Sequence, residues 1–303
     1  MPYVTVIGAA IVDITAKSMG AIIPRDSNPG AVAQSAGGVG RNVAENLARL
    51  GVEVKLVAAL GGDVFGKSLL DGCRTVGIDM SLAAIDPLAA SGAYIAVLGP
   101  DGEMYVAVVD GICAIPMSHI LRHEAVIRGS EIILLDANLD EGLIADLLER
   151  FPENHIYVDP ISVTKSRRIA KSLGRFHTVK MNELEAASLM GVEAIDEAGL
   201  RQAGGYFLAL GVQRVVISLG ARGLYYRTAA EELRLESAPL TPKNATGAGD
   251  AMMAGLIYCD LHRKPAAYAA AFAQAMARTA LMSESAVNRA ISVNTIEREM
   301  GEF

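Results

Sequence analysis

Short β-branched runs alternate with helix-like stretches along most of this chain, and that alternation constrains the fold more than any other feature. The runs cover residues 4–7, 54–60, 131–135, 156–158, 178–181 and 214–219. Strands separated by helices pair in parallel, and a parallel sheet needs helices over both faces because its connections cross it. The expected fold is α/β, with a mostly parallel sheet covered on both sides. Residues 41–50, 66–76 and 183–190 read as helices, each running up to a glycine (Gly51, Gly77, Gly191) suited to a left-handed C-terminal cap. With 303 residues, 51% of them apolar, the chain can fill such a core and is too apolar for disorder.

Two segments break the alternation. Residues 93–98 and 103–109 alternate around Gly99-Pro100-Asp101-Gly102, which predicts a β-hairpin. Residues 14–34 contain Pro24, Pro29 and Gly30 and are not expected to be helical. The two excursions could pair into a small sheet, a lid of about residues 14–36 and 91–110 over the carboxyl ends of the parallel strands, where open α/β sheets bind ligands. Residues 1–303 otherwise read as one domain without repeat or linker.

Lys and Arg number 27 against 34 Asp and Glu, a formal charge of −7, so no broad basic surface is available and a nucleic-acid partner is disfavoured. Cys73, Cys113 and Cys259 are widely spaced without CxxC, which argues against a disulfide framework or thiolate metal site and for a reducing compartment. The first residues enter a strand without a basic start or cleavage pattern. The apolar stretch 266–282 is alanine-rich and carries Gln274 and Arg278, which suits a packed core helix rather than a membrane span. A cytoplasmic protein without a membrane partner is expected.

Candidate chemistry concentrates in glycine-rich loops. Asn244-Ala245-Thr246-Gly247-Ala248-Gly249-Asp250 opens into a helix-like run, so backbone amides and a helix N-terminus converge on an anion, with phosphate as the expected guest. Asp250 could accept the proton of an attacking hydroxyl, and the helix end is expected to lower its pKa. The alternative is a helix cap after a glycine turn. Gly37-Gly38-Val39-Gly40-Arg41-Asn42 leads into another helix: its glycines admit a ligand to the backbone and Asn42 can bond a sugar diol, or the segment is only a turn. Residues 61–68 satisfy the P-loop pattern, and Asp136 could end its companion acidic strand, but Asp63, Val64 and Phe65 suit a ring of phosphate-binding amides poorly. Asn182 and Glu185, three apart at a helix start, could share a hydrated Mg²⁺ or form a capping box. Ser218 to Gly223, with Gly220, could admit a nucleotide or be a turn. His119 and His123 lack a third ligand in sequence and read as surface residues.

Taken together, Gly37 to Asn42, Asn182 to Glu185, Ser218 to Gly223 and Thr246 to Asp250 resemble, in order and spacing, the ribokinase-like (PfkB) family of carbohydrate and nucleoside kinases, over nearly the whole chain. The resemblance implies a doubly wound α/β fold with a β-lid, and it absorbs residues 61–68 as that family's Gly-Asp-x-x-Gly turn. It implies ATP and Mg²⁺ as cofactors, Asp250 as catalytic base and the amides of Gly247, Ala248, Gly249 and Asp250 as anion hole. Asn182, Ser218, Gly220, Gly223 and Gln274 would serve ATP, and Glu185 with Asn182 the Mg²⁺, through water. Asp13, Gly38, Val39, Gly40 and Asn42 would hold the sugar. Val39 stands where many sugar kinases have Lys, and Asn244 where many have the Asp of a monovalent-cation site, which leaves potassium activation open. Residues 26–30 and 38–48, Asp159 to Ser162 with Lys165, and 244–255 look most like the pseudouridine-kinase branch. That branch implies transfer to the ribose 5′-hydroxyl of a nucleoside, with other nucleoside or sugar kinases as the alternative, and a homodimer joined through the lid. A non-catalytic nucleoside binder on the same fold is a further alternative.

Overall fold

A computed structural model describes residues 2–110, 114–244 and 246–301. Its strands, in chain order, are β1 (Tyr3–Ile7), β2 (Ile11–Ser18), β3 (Gly30–Gly37), β4 (Glu53–Val57), β5 (Ala59–Gly61), β6 (Ala84–Asp86), β7 (Ala93–Leu98), β8 (Met104–Asp110), β9 (Ile132–Asp136), β10 (His155–Asp159), β11 (Thr178–Asn182), β12 (Arg214–Ser218), β13 (Leu224–Thr228) and β14 (Glu232–Leu235). The α-helices are α1 (Val39–Arg49), α2 (Val64–Thr75), α3 (Met117–Arg122), α4 (Glu124–Arg128), α5 (Glu141–Arg150), α6 (Val163–Ser166), α7 (Glu183–Met190), α8 (Gly199–Ala209), α9 (Ala248–Leu261), α10 (Ala266–Leu281) and α11 (Val293–Met300).

The main sheet has eight strands in the order β14-β13-β12-β11-β10-β9-β1-β4, parallel from β12 to β4. Its central strands, β9 above all, are buried and largely apolar on both faces, as helices on both sides require, whereas the edge strands β4 and β14 alternate with charged residues. Ile132 and Leu134 face a core made with α1, α9 and α10, whereas Ile133 and Leu135 face one made with α5, α7 and α8. The alternation in sequence thus becomes a doubly wound sheet. The alanine-rich stretch is the buried helix α10, and its small side chains let it pack closely on α9. Gly51, Gly77 and Gly191 all have positive φ just beyond their helices.

The two excursions form a second sheet in the order β3-β2-β7-β8, with β2 and β3 antiparallel, β7 and β8 antiparallel, and β2 parallel to β7. It departs from the carboxyl end of β1. Three details differ from the sequence expectation. Residues 54–60 are two strands broken at Ala58, because β1 ends opposite Val57 and the chain then takes β6 as partner. The antiparallel edge β13–β14 carried no alternation strong enough to announce it. His119 is buried rather than on the surface: Nε2 meets the carbonyl of Leu82 at 2.9 Å and Nδ1 the Arg122 guanidinium at 3.1 Å. Cys73 and Cys259 are buried and free, and Cys113 lies outside the described residues. Among the described residues no helix is long and apolar enough to cross a membrane.

Candidate active site

The parallel strands all end at one edge of the main sheet, and four of them, β9 to β12, end there on polar residues, Asp136, Asp159, Asn182 and Ser218. Asp136, ending β9, is wholly buried and accepts from the amides of Ala9 and Gly40, both at 2.8 Å, and of Asn138 at 3.0 Å. It thereby ties the loop after β1 to the start of α1, a brace rather than a nucleotide-metal acid. The glycines around it are needed for close packing. A Cβ on Gly40 would lie 2.9 Å from Gly8 Cα, and one on Gly38, at φ +95°, 2.4 Å from the Ala9 carbonyl oxygen. Val39 opens α1 half-buried, packed against the core. Asp13, on β2, lies against Gly37, and burial raises its pKa although the Arg41 guanidinium opposes this.

At α9 the chain enters the helix through Gly247 at φ +84°, and no side chain caps the end. The first-turn amides of Ala248, Gly249 and Asp250 therefore have no acceptor within the helix and share its positive end. Asn244 supports the turn, its Oδ1 accepting from the Thr246 amide at 3.0 Å and hydroxyl at 2.8 Å. Asp250 is 8% exposed, and its Oδ2 accepts from Asn42 Nδ2 at 2.8 Å. Behind the turn, Lys180 Nζ donates to Asp159 Oδ2 at 2.8 Å, both side chains buried, and a Cβ on Gly249 would lie 2.6 Å from that Nζ. The helix end does not lower the Asp250 pKa as the sequence suggested. Burial, and then repulsion from Asp159, push it up to about 7 against the Asn42 hydrogen bond and Lys180.

A cavity of about 370 Å³ adjoins this turn. Ala248 and Gly249 form one end of its lining, with Ser218, Gly220, Ala221 and Gly223 from the β12–β13 connection and Gln274, Ala277, Arg278 and Leu281 from α10. Gln274 Nε2 donates to the Glu236 carbonyl at 2.7 Å, and its Oε1 is buried without a partner. Ser237, Ala238, Leu240, Pro242 and Met252 complete the wall. They carry no motif, and only the loop's position beside α9 and α10 reveals them.

Asn182 and Glu185 form the full capping box of α7: Asn182 Oδ1 accepts from the Glu185 amide, and Glu185 accepts from the Asn182 amide and side chain, each at 2.9 Å. Each Glu185 oxygen keeps a lone pair beyond these bonds. Lys165 donates to Asn138 Oδ1 at 2.5 Å. The P-loop reading fails on geometry. The Asp63 carboxylate itself fills the turn, accepting from the Gly66 amide at 2.7 Å and from the Ser91 hydroxyl and amide at 2.7 and 2.9 Å, while Lys67 pairs with Asp71 in solvent.

The pfkB family carbohydrate kinase model matches residues 1–292. This chain belongs to the pfkB family. Pseudouridine kinase from Escherichia coli (strain K12) is 35% identical over 298 residues, covering 97% of this chain and 95% of that protein. A carbohydrate kinase from Agrobacterium tumefaciens superposes with a TM-score of 0.86 at 28% identity, over 99% of this chain and 97% of that one. Arabidopsis thaliana ribokinase, solved with ribose and ATP, superposes at 0.87 over 100% of this chain and 99% of that one, and at 20% identity it speaks for the fold alone. As a pfkB kinase, this protein transfers a phosphoryl group to a hydroxyl of a sugar or nucleoside.

Proposed function

We propose that this kinase uses ATP to phosphorylate the ribose 5′-hydroxyl of pseudouridine. The observation that carries the chemistry is a buried carboxyl, Asp250, in the first turn of an uncapped helix beside a nucleotide-sized cavity. The 35% identity to a pseudouridine kinase over 97% of the chain supports the substrate. Asp250 takes the proton of the attacking hydroxyl, and the amides of Gly247, Ala248, Gly249 and Asp250 hold the transferring phosphoryl oxygens. Asp13 and the loop Gly38, Val39, Gly40 and Asn42 hold the sugar. Asn42 has one N–H committed to Asp250 and a second for a ribose hydroxyl. ATP lies along the cavity past Ser218, Gly220 and Gly223, with Asn182 near its phosphates, and Gln274 Oε1 accepts from the adenine amino group, which would satisfy its orphaned lone pair.

Mg²⁺ fits the residues present if phosphate and water supply most of its shell. Among the described residues no three His, Cys, Asp or Glu converge as a metal cage, but Glu185 keeps unshared lone pairs beside Asn182. When bound, the ion would neutralise charge on the phosphates. The second sheet closes over the sugar and joins two copies into a homodimer.

Rates measured with ATP across ribose, fructose 6-phosphate, adenosine, uridine and pseudouridine test the substrate. Pseudouridine carries a ring N–H that uridine lacks, and an acceptor in residues 26–30 or on the second sheet that reads it should favour pseudouridine by about 10²-fold in kcat/KM. A ratio near one, or preference for uridine or a free sugar, removes the substrate assignment. Asp250→Asn should abolish transfer with ATP binding kept, and Lys67→Ala should leave turnover unchanged. The reverse pattern would restore the P-loop.

A further inference from the structure

We infer that Arg41 is a positioning residue for the base, acting through Asn42; the inference rests on the reading of Asp250 as proton acceptor. Arg41 Nη1 lies 2.7 Å from the Asn42 side-chain amide. A guanidinium can only donate, so Arg41 requires Oδ1 on its side and turns Nδ2 toward Asp250. An amide free to flip would present Oδ1 to the carboxylate and repel its ionised form.

The guanidinium is itself held. It donates to the Ala36 carbonyl at 2.9 Å and to the Glu45 carboxylate, which also takes Arg49 at 2.9 and 2.6 Å. The Arg41 and Glu45 side chains are 11% and 6% exposed. Glu45 therefore anchors Arg41, and a chain of donors runs from Arg41 to Asn42 and from Asn42 to one oxygen of Asp250. Asn42 occupies Oδ2 and leaves Oδ1 to receive the substrate proton.

Charged groups face both ends of this chain. Around Asp250 stand Lys180 of β11, Asp159 of β10 and Asp136 of β9; the two carboxylates oppose its ionisation and Lys180 favours it. Around Arg41 stand Asp13 of β2, Cys73 of α2, and Glu45 and Arg49 of its own helix. Without the donor on Oδ2 the balance at Asp250 tips toward the protonated acid.

The test compares Arg41→Met, Arg41→Lys, Asn42→Ala and the Arg41→Met/Asn42→Ala double variant of the full chain. Turnover is measured with ATP and pseudouridine, and the Asp250 carboxyl is titrated by ¹³C NMR, its signal assigned through Asp250→Asn. Arg41→Met should lower kcat by about tenfold or more, with a smaller change in KM for pseudouridine, and move the Asp250 midpoint upward. Arg41→Lys should recover part of both effects, and Arg41→Met should add nothing on the Asn42→Ala background. An unchanged midpoint overturns the inference, whatever happens to melting temperature. So does a loss confined to KM, which would hand Arg41 to Asp13 and the substrate, or additive losses in the double variant. If Arg41→Met fails to fold, Glu45→Gln, which loosens the guanidinium, must move the midpoint in the same direction. Asp250→Asn retaining turnover would remove the base assignment instead, and the NMR midpoint still decides the link from Arg41 to Asp250.

Discussion

Asp250 must be ionised to take a proton, yet burial and Asp159 raise its pKa to about 7. As pH falls below that value the base is protonated, so kcat/KM should drop about tenfold per pH unit on the acid side. A profile flat from pH 5.5 to 8 would exclude Asp250 as the base. The same shift sets a stability effect whose sign follows from linkage. Below the ordinary carboxyl pKa of 3.8 both folded and unfolded chains hold the proton. Between there and pH 7 only the folded chain holds it, and stability falls as pH rises. Asp250→Asn should therefore gain unfolding free energy over the parent progressively between pH 4 and 7, by at most about 4 kcal/mol for a three-unit shift, read from denaturant or thermal melts at each pH. A difference independent of pH would contradict the raised pKa. On the sugar side, Asp13→Ala should weaken nucleoside use by about 2 kcal/mol in kcat/KM by leaving a buried hydroxyl unpaired. A 2′,3′-dideoxy nucleoside should be similarly poor, and equal turnover of dideoxy and parent nucleosides would refute the assignment.

The loops that open α1 and α9 depend on glycine for two separable reasons, conformation and space. Gly247 has φ +84°, and a Cβ there would lie 1.9 Å from the Ala286 carbonyl oxygen. Gly191 has φ +70° with nothing within 4 Å of its Cβ position. Gly191→Ala should thus cost about 1 kcal/mol from the left-handed conformation alone. Gly247→Ala should cost clearly more and, if the amides of this turn bind the phosphoryl group as proposed, also reduce kcat, because the backbone there must shift. Thermal melts and rates of the two variants compare them directly; equal losses would mean the Ala286 contact imposes nothing. The capping box of Asn182 and Glu185 shows how an element's end can serve two purposes. The same side chains stiffen α7 and leave carboxylate lone pairs at the strand edge.

The second sheet exposes apolar side chains on both faces of β8, among them Met104, Tyr105, Val106, Val108 and Val109. A sheet this apolar with open edges is covered most simply by a second copy of itself. Light scattering at micromolar concentration should report a dimer, and Val106→Glu with Val108→Glu should give monomers with weaker nucleoside use. A fully active monomeric parent would count against the lid contact.

The alternation of strands and helices, the inserted hairpin and the small-residue turn that opens α9 with Asp250 in its first turn were legible in the chain, because each is a local pattern: β-branched runs, glycines at helix ends, an acid following a small-residue loop. The residues 61–68 looked like a phosphate site for the same local reason, and folding reverses the reading by placing the Asp63 carboxylate where a phosphate would sit. The cavity wall from Ser237, Ala238, Leu240 and Pro242, the Lys180–Asp159 pair beneath Gly249 and the Asn42 bond to Asp250 had no sequence signal. Asn42 and Asp250 are 208 residues apart, and their hydrogen bond exists because α1 and α9 meet beside the carboxyl ends of the strands. The direction of the Asp250 shift escaped for the same reason. A helix end acts within its own turn, whereas burial and the charge of Asp159 come from distant segments that only the packed core brings to the site.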